Sequence, residues 1–313
     1  MYDIIPDIHG QSEKLKGALA NLGYRNRNGA WRHSDPNRSI IFLGDFIDRG
    51  PNNADVVDLV RRMMEAGTAE AIMGNHELNA IHYHTSHPEN GEPLRRHSPK
   101  NQRQHSTFLA EFPLGAARTA DVLSWMRALP LFLEFAGFRV VHACWNEDTI
   151  DRLRNLTTNG VLSGDQLIDV ADEHRELFAL VEKTTKGPEV SLPDGYSITD
   201  KDGTMRHDVR VKWWNAGPES WADVAISVPD LNQLPTTPLP RSVSVDAYSA
   251  DAKPVFFGHY WLDGTPTLQS DNALCLDYSA GTDGPLVAYR VQRPGEPLDI
   301  GNLVIPAPTG GSI

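Results

Sequence analysis

Residues 40–50 read IIFLGDFIDRG: the apolar run Ile40, Ile41, Phe42, Leu43 passes straight into Gly44, Asp45, Asp48, Arg49 and Gly50. Four successive apolar residues mark a buried strand. Its ending does not suit a core, because carboxylates and a guanidinium are costly to desolvate without partners. The strand therefore delivers charged groups to its C-terminal tip, and the rest of the chain must show what meets them there.

Four other apolar runs end in the same way. IIP leads to Asp7 and His9, AIMG to Asn75, RVV to His142 and VFFG to His259. Between the first three runs, Leu15, Leu19 and Leu22 recur at helical spacing and Gly23 suits a helix C-terminus. Asn53 is placed to cap a second helix whose Val56, Val57, Val60, Met63 and Met64 form one apolar face, closed by Gly67. The order β-α-β-α-β predicts a parallel sheet covered by helices, whose ligand site lies at the C-terminal strand edge. That edge would collect two carboxylates, one carboxamide and three imidazoles, with no thiolate. Six such donors exceed the needs of one tetrahedral ion and suit two divalent ions sharing a carboxylate. Asp45 is the expected bridge, its strand being expected at the centre. A single Asp-x-His after a strand is more often a turn or helix cap, and a single Gly-His a satisfied core histidine. The recurrence after five separate runs is what argues for a metal centre.

The remaining chain is less telling. Residues 78–130 read as polar and helical, with His82, His84, His87, His97 and His105 at spacings that match no compact metal motif; solvated or lid side chains are expected there. Ser163 and Gln166 form a capping box that should open one helix reaching about residue 183. Asp194-Gly195 and Asp202-Gly203 suggest turns of a hairpin pairing residues 196–199 with 205–213. Residues 229–240 carry four prolines and read as loop. With no repeat and no linker, the expectation is one domain over 1–313, with a helical insertion at about 78–135 and a helix-plus-hairpin insertion at about 146–250.

The 313 residues carry a formal charge of −12, which argues against a general nucleic-acid or anionic-membrane surface. Two cysteines, Cys144 and Cys275, make a disulfide framework unlooked-for and point to a reducing compartment. The opening MYDIIPDIHG reads as a strand rather than a signal peptide, and no apolar run approaches the ~20 residues of a membrane span. A cytoplasmic location is expected.

The blocks Asp7-Ile8-His9-Gly10, Gly44-Asp45-Phe46-Ile47-Asp48-Arg49-Gly50 and Gly74-Asn75-His76-Glu77, followed by His142 and Gly258-His259, resemble the calcineurin-like metallophosphoesterases. More narrowly they resemble the phosphoprotein-phosphatase branch, with its blocks GDxHG, GDxxDRG and GNHE, which includes bacterial protein phosphatases and symmetrical diadenosine tetraphosphate hydrolases. The resemblance covers residues 2–80, 138–145 and 255–291. It implies a mixed α/β (α+β) fold, two sheets sandwiched between helices, with a dinuclear centre at the C-terminal sheet edge. It implies that Asp7, His9 and Asp45 hold one ion and that Asp45, Asn75, His142 and His259 hold the other. Mn2+ is the expected metal, with Fe, Zn or Ni also suited. His76 would be the general acid, oriented by Asp48, and Arg49 the clamp on the substrate phosphate.

Two departures stand out. Pro6 replaces a customary glycine, and Gly258-His259-Tyr260 lacks the arginine of the eukaryotic histidine block, which points to the bacterial side. The phosphatases often use a second arginine between the late histidines. Arg206 and Arg210 lie in that interval, and alternation with Val209, Val211 and Trp213 leaves Arg210 facing either the site or water. Trp145, Tyr260 and Trp261 follow ligand positions and could stack on a base or simply wall the pocket. The expected function is a metal-dependent phosphomonoesterase acting on phosphoproteins, with a metal-bridging hydroxide attacking phosphorus. The alternative is a dinucleoside polyphosphate pyrophosphohydrolase. An inactive binding module would have lost ligands, and none is missing. The absence of an evident basic groove for a polyphosphate chain tilts the sequence reading towards the monoester.

Overall fold

The computed structural model describes residues 1–200, 203–241, 243 and 245–305. Nine strands build two sheets: β1 (Tyr2–Ile5), β2 (Ser39–Phe42), β3 (Ala69–Ala71), β4 (Phe132–Glu134), β5 (Arg139–Val141), β6 (Val255–Phe257), β7 (Ala273–Cys275), β8 (Ala288–Val291) and β9 (Leu303–Val304). The first sheet has the order β9-β8-β1-β2-β3 and the second β7-β6-β5-β4. β1, β2 and β3 run parallel, as do β5, β6 and β7, so the tips foreseen from sequence point along common edges. The central strand of the first sheet is β1; β2, which carries Asp45, lies between β1 and β3 but only second from the edge, because β8 and β9 add to the other side of β1.

Side-chain alternation explains the layers. Ile4, Ile41, Leu43 and Ile72 of the first sheet pack against Val140, Phe256, Leu274 and Leu276 of the second. The alternate residues Ile5, Ile40 and Phe42 turn the other way, onto Leu15 and Leu19 of α1 (Ser12–Asn21) and Val56 and Val60 of α2 (Asn53–Glu65). Each sheet is thus buried on both faces, which is why its strands read as continuous apolar runs. The result is the two-sheet sandwich flanked by helices that the sequence implied.

Local expectations fared unevenly. Gly23 and Gly67 follow α1 and α2 at positive φ, as C-terminal glycines should. Asn53 does not cap α2. Asn52 precedes the helix, and Glu111, from a later helix, accepts the Asn53 and Ala54 N–H groups at 2.6 and 2.9 Å. The Asn53 side chain is spent elsewhere, accepting from Asp48 N at 2.6 Å. The capping box at Ser163 and Gln166 forms, but its helix stops at Asp169. A turn in which Asp172 Oδ1 accepts from His174 N separates it from Glu176–Lys186. The expected hairpin is truncated to Ile198–Thr199 with Met205–Arg206, and Asp202 lies outside the described residues. Asp208–Val211 instead joins Glu189–Ser191 and Ala225–Ile226 in a separate sheet, with Val209 turned onto Leu192, Trp221 and Leu234. Among the described residues no helix is long and apolar enough to cross a membrane.

Candidate metal centre

The tips of β1 and β2 are locked together by backbone. The N–H groups of Ile8 and His9 both donate to Asp45 O at 2.9 Å, and Gly10 N donates to Phe46 O at 2.8 Å. In the second sheet Gly258 N donates to His142 O at 2.8 Å, joining the tips of β6 and β5. His9, Asp45, Asp48, Arg49 and His259 all have positive φ, between 49° and 72°. Each costs on the order of 1 kcal/mol for a residue with a Cβ, and such strain persists where the surroundings over-determine it. The glycines of the motifs have a steric reason. A Cβ on Gly74 would strike Asp45 Oδ1, and one on Gly258 would strike Asp7 Oδ1.

Glu77 fastens the second and third tips. On the helix α3 (Asn75–Tyr83) its Oε2 accepts from Asp45 N at 2.8 Å and Gly74 N at 3.0 Å, while Oε1 accepts from Phe46 N at 2.8 Å. The glutamate of the GNHE block therefore holds backbone, a role the motif alone does not assign.

Around Asp45 the imidazoles converge. Its Oδ2 lies 3.6 Å from His9 Nε2, 3.4 Å from His142 Nε2 and 4.0 Å from His76 Nε2. Two groups of donor atoms, each within 4.8 Å of one another, share this carboxylate: His9, Asp45 and His76, and Asp45, His142 and His259. Asn75 joins the second, its Oδ1 lying 3.1 Å from His142 Nε2 and 2.8 Å from His259 Nδ1. Asp7 is buried beside the same cluster, with both its oxygens accepting from His259 N at 3.1 Å.

The chemistry of the donor set fits divalent cations. His9 Nδ1 donates to Ile47 O at 2.9 Å and His142 Nδ1 to Leu43 O at 2.7 Å, so each turns Nε2 towards Asp45. Burial, aided by the neighbouring His76, lowers the His9 pKa to about 4, and burial and Arg210 hold His259 well below the ordinary histidine value. Both shifts favour the neutral ring, and the Nε2 atoms of both are buried without a hydrogen-bond partner. Orphaned buried groups cost about 1–3 kcal/mol each, which a metal ion accepting their lone pairs removes. The carboxylates are crowded too. Burial foremost, then the repulsion of Asp45, raises Glu77 to about 7 and Asp277 to about 6; Asp7 is raised as well, by burial and by Asp277.

Beside this cluster stands His76. Its Nδ1 is 2.6 Å from Asp48 Oδ2. Burial works to lower its pKa, but the Asp45 charge and the Asp48 hydrogen bond outweigh burial and raise it. The other oxygen of Asp48 accepts from His105 Nδ1 at 2.8 Å. Burial would raise the Asp48 carboxyl, but the two histidines overcome it and hold Asp48 well below the usual range. His105 is 4% exposed and stacks on Phe108, so the solvated half of the sequence expectation fails for it and for buried His82. No spacing rule could have found His105, since its partner is 57 residues away.

These groups open onto a cavity of about 610 Å³. Arg49, Arg95, Lys100, Lys186, Arg206 and Arg210 all line it. Arg210 thus faces the site, its Nε buried without a hydrogen-bond partner and 3.8 Å from Glu189. Of the three aromatic candidates only Trp261 reaches this cavity, with the Arg49 guanidinium 5.1 Å from its ring; Trp145 and Tyr260 are fully packed inside.

The family model for calcineurin-like phosphoesterases matches residues 2–259. The chain belongs to that family. This phosphoesterase is 30% identical over 165 residues to the asymmetrical bis(5'-nucleosyl)-tetraphosphatase PrpE of Oceanobacillus iheyensis, covering 52% of this chain and 64% of that protein. It is 31% identical over 173 residues to the protein of the same name from Halalkalibacterium halodurans, covering 52% and 65%. The alignments thus span under two thirds of the length of these relatives. A solved structure of a cold-active protein-tyrosine phosphatase from a psychrophilic Shewanella aligns with a TM-score of 0.49 at 15% identity, over 98% of this chain and 80% of that one.

Proposed function

We propose that this phosphoesterase hydrolyses dinucleoside polyphosphates at a centre of two divalent ions. The observation that carries the substrate class is the cavity: six cations from separate segments line it, three of them beside carboxylates (Lys186 with Glu182, Arg206 with Asp200, Arg210 with Glu189), where a phosphomonoester needs only a clamp for one phosphate. The expectation that no basic groove exists came from cations scattered along the sequence. The names of the relatives support the same substrate class.

In this reading Asp7, His9 and Asp45 hold one ion and Asp45, Asn75, His142 and His259 the other, with Mn2+ the first metal to supply. When bound, two such ions supply Lewis acidity and an activated water. Arg49 and Arg210 hold the attacked phosphoryl group as planar forks. His76, kept in register and favoured in its charged form by Asp48, turns its Nε2–H to the departing oxygen, protonating an alkoxide and hydrogen-bonding a leaving phosphate. Buried free Cys144 and Cys275 suit a cytoplasmic setting.

The test is a hydrolysis panel with manganese supplied, comparing diadenosine tetraphosphate with phosphoserine, phosphothreonine and phosphotyrosine peptides. A kcat/KM at least about tenfold higher for the tetraphosphate is expected, since each extra charge-assisted contact contributes about 1.5–3 kcal/mol. Preference for any phosphopeptide overturns this reading in favour of the protein phosphatase. Products identified as ATP with AMP, or as two ADP, show which anhydride is cut.

A further inference from the structure

Arg95 lies in the helical insertion and lines the cavity, half-buried. Its Nη1 donates to Asn79 Oδ1 at 2.6 Å, and its Nη2 donates to Asn101 Oδ1 and Gln104 Oε1 at 3.2 and 3.3 Å. All three acceptors are neutral carboxamides. Among the described residues no carboxylate stands within 4.0 Å of this guanidinium, whereas in the same cavity Lys186 pairs with Glu182 and Arg206 with Asp200. Burial accordingly depresses its pKa, with only the more distant Asp48 and Glu182 opposing.

A partly desolvated cation is costly unless an anion compensates it. Three amides fix the fork without neutralising it, and of its five N–H donors two remain for a ligand. Lys100, on the same short helix as Asn101 and Gln104, adds a second positive charge to the wall. The position is informative. Asn79 lies three residues after His76 on α3, so the two share a helix face, and Arg95 is pinned beside the residue assigned to protonate the leaving oxygen.

We infer that Arg95, with Lys100, forms a second anion subsite that binds a phosphate on the leaving-group side of the attacked phosphorus. The subsite deepens the polyphosphate reading and rests on it for its biological meaning. Its ligand chemistry, a phosphate linked through anhydride to the reacting one, stands on the Arg95 geometry. The competing account is that Arg95 only staples the insertion to α3.

Competitive inhibition of p-nitrophenyl phosphate hydrolysis by tripolyphosphate and by orthophosphate separates the two, with free manganese held constant. For Arg95→Gln the inhibition constant of tripolyphosphate should rise about 10- to 100-fold, the equivalent of one charge-assisted contact. That of orthophosphate, which reaches only the metal-side clamp, should change several-fold less. Arg95→Lys, which restores charge without the fork, should recover part of the loss. A staple predicts equal changes for both inhibitors accompanied by a lowered Tm, or no change in either, and each result overturns the subsite. Should Arg95→Gln fail to fold, Asn79→Ala, which loosens the fork and keeps the charge, should show the same inhibitor bias in weaker form, and equal effects there overturn it as well. If dinucleoside polyphosphates are not hydrolysed yet tripolyphosphate inhibition tracks Arg95, the substrate reading fails and the subsite stands.

Discussion

Asp45 carries more of the centre than any other side chain, since its Oδ2 faces imidazoles from three separate segments and its Oδ1 accepts from His76 N at 2.8 Å. Asp45→Asn should therefore deplete both ions together rather than one, as read by elemental analysis of the purified variant; retention of both would mean the carboxylate is not shared. His76 calls for a different readout. His76→Asn should keep the metals and lower kcat by ~10²–10⁴ on alkyl phosphates, whose leaving oxygen must be protonated. Losses on p-nitrophenyl phosphate should be much smaller, and also on an anhydride, whose leaving phosphate has a second pKa of about 6. Equal losses on all three substrates would assign His76 to charge stabilisation instead of proton transfer. His105 extends this argument one residue outward. His105→Phe keeps an aromatic ring against Phe108 but strips Asp48 Oδ1 of its donor. It should cost about 1–3 kcal/mol of stability and reproduce the leaving-group bias of His76→Asn in weaker form. A change in stability with no bias would leave His105 a packing residue.

At the scale of elements, α3 is the member that joins chemistry to scaffold. Its first turn presents Asn75 and His76, Glu77 clamps the neighbouring loops, and His82 near its end donates from Nε2 to Leu167 O at 2.9 Å. Burial lowers the His82 pKa to about 4 from the ordinary 6.5. Between those values the unfolded chain binds a proton that the folded chain refuses, so this contribution to stability is fully present above pH 6.5 and is lost as pH falls towards 4. His82→Gln keeps a donor for Leu167 O without titrating. Thermal melts of the variant should show a shallower decline of Tm across that window, and an unaltered slope would remove His82 from the acid response. The segment that follows α3 reads as polar helices from sequence, yet it returns His105 to Asp48 and Arg95 to the cavity wall. Periodicity describes a helix and its faces. It does not say which residue of a distant loop a helix will meet.

For the whole molecule, two transition-metal ions per chain are expected by elemental analysis of unchelated protein, and chelation should abolish activity that manganese restores. A folded protein that holds no metal and ignores added manganese would falsify the dinuclear reading. Affinity alone will not select the native ion, because mixed nitrogen and oxygen ligation accepts several. The candidate metal donors could be picked out in the sequence because each lies within a few residues of the strand that positions it. An apolar run, a glycine whose Cβ space a neighbouring carboxylate fills, and a ligand form a local pattern, and parallel strands bring such patterns to one edge by topology alone. The cationic wall is different. Arg49, Arg95, Lys100, Lys186, Arg206 and Arg210 are spread over more than half the chain, with a net charge of −12 around them, and no spacing relates them. Their meeting, like the hydrogen bond from His105 to Asp48, depends on how the segments outside the two sheets dock on the sandwich. Side-chain packing between distant segments fixes that docking, and only the tertiary structure could decide it.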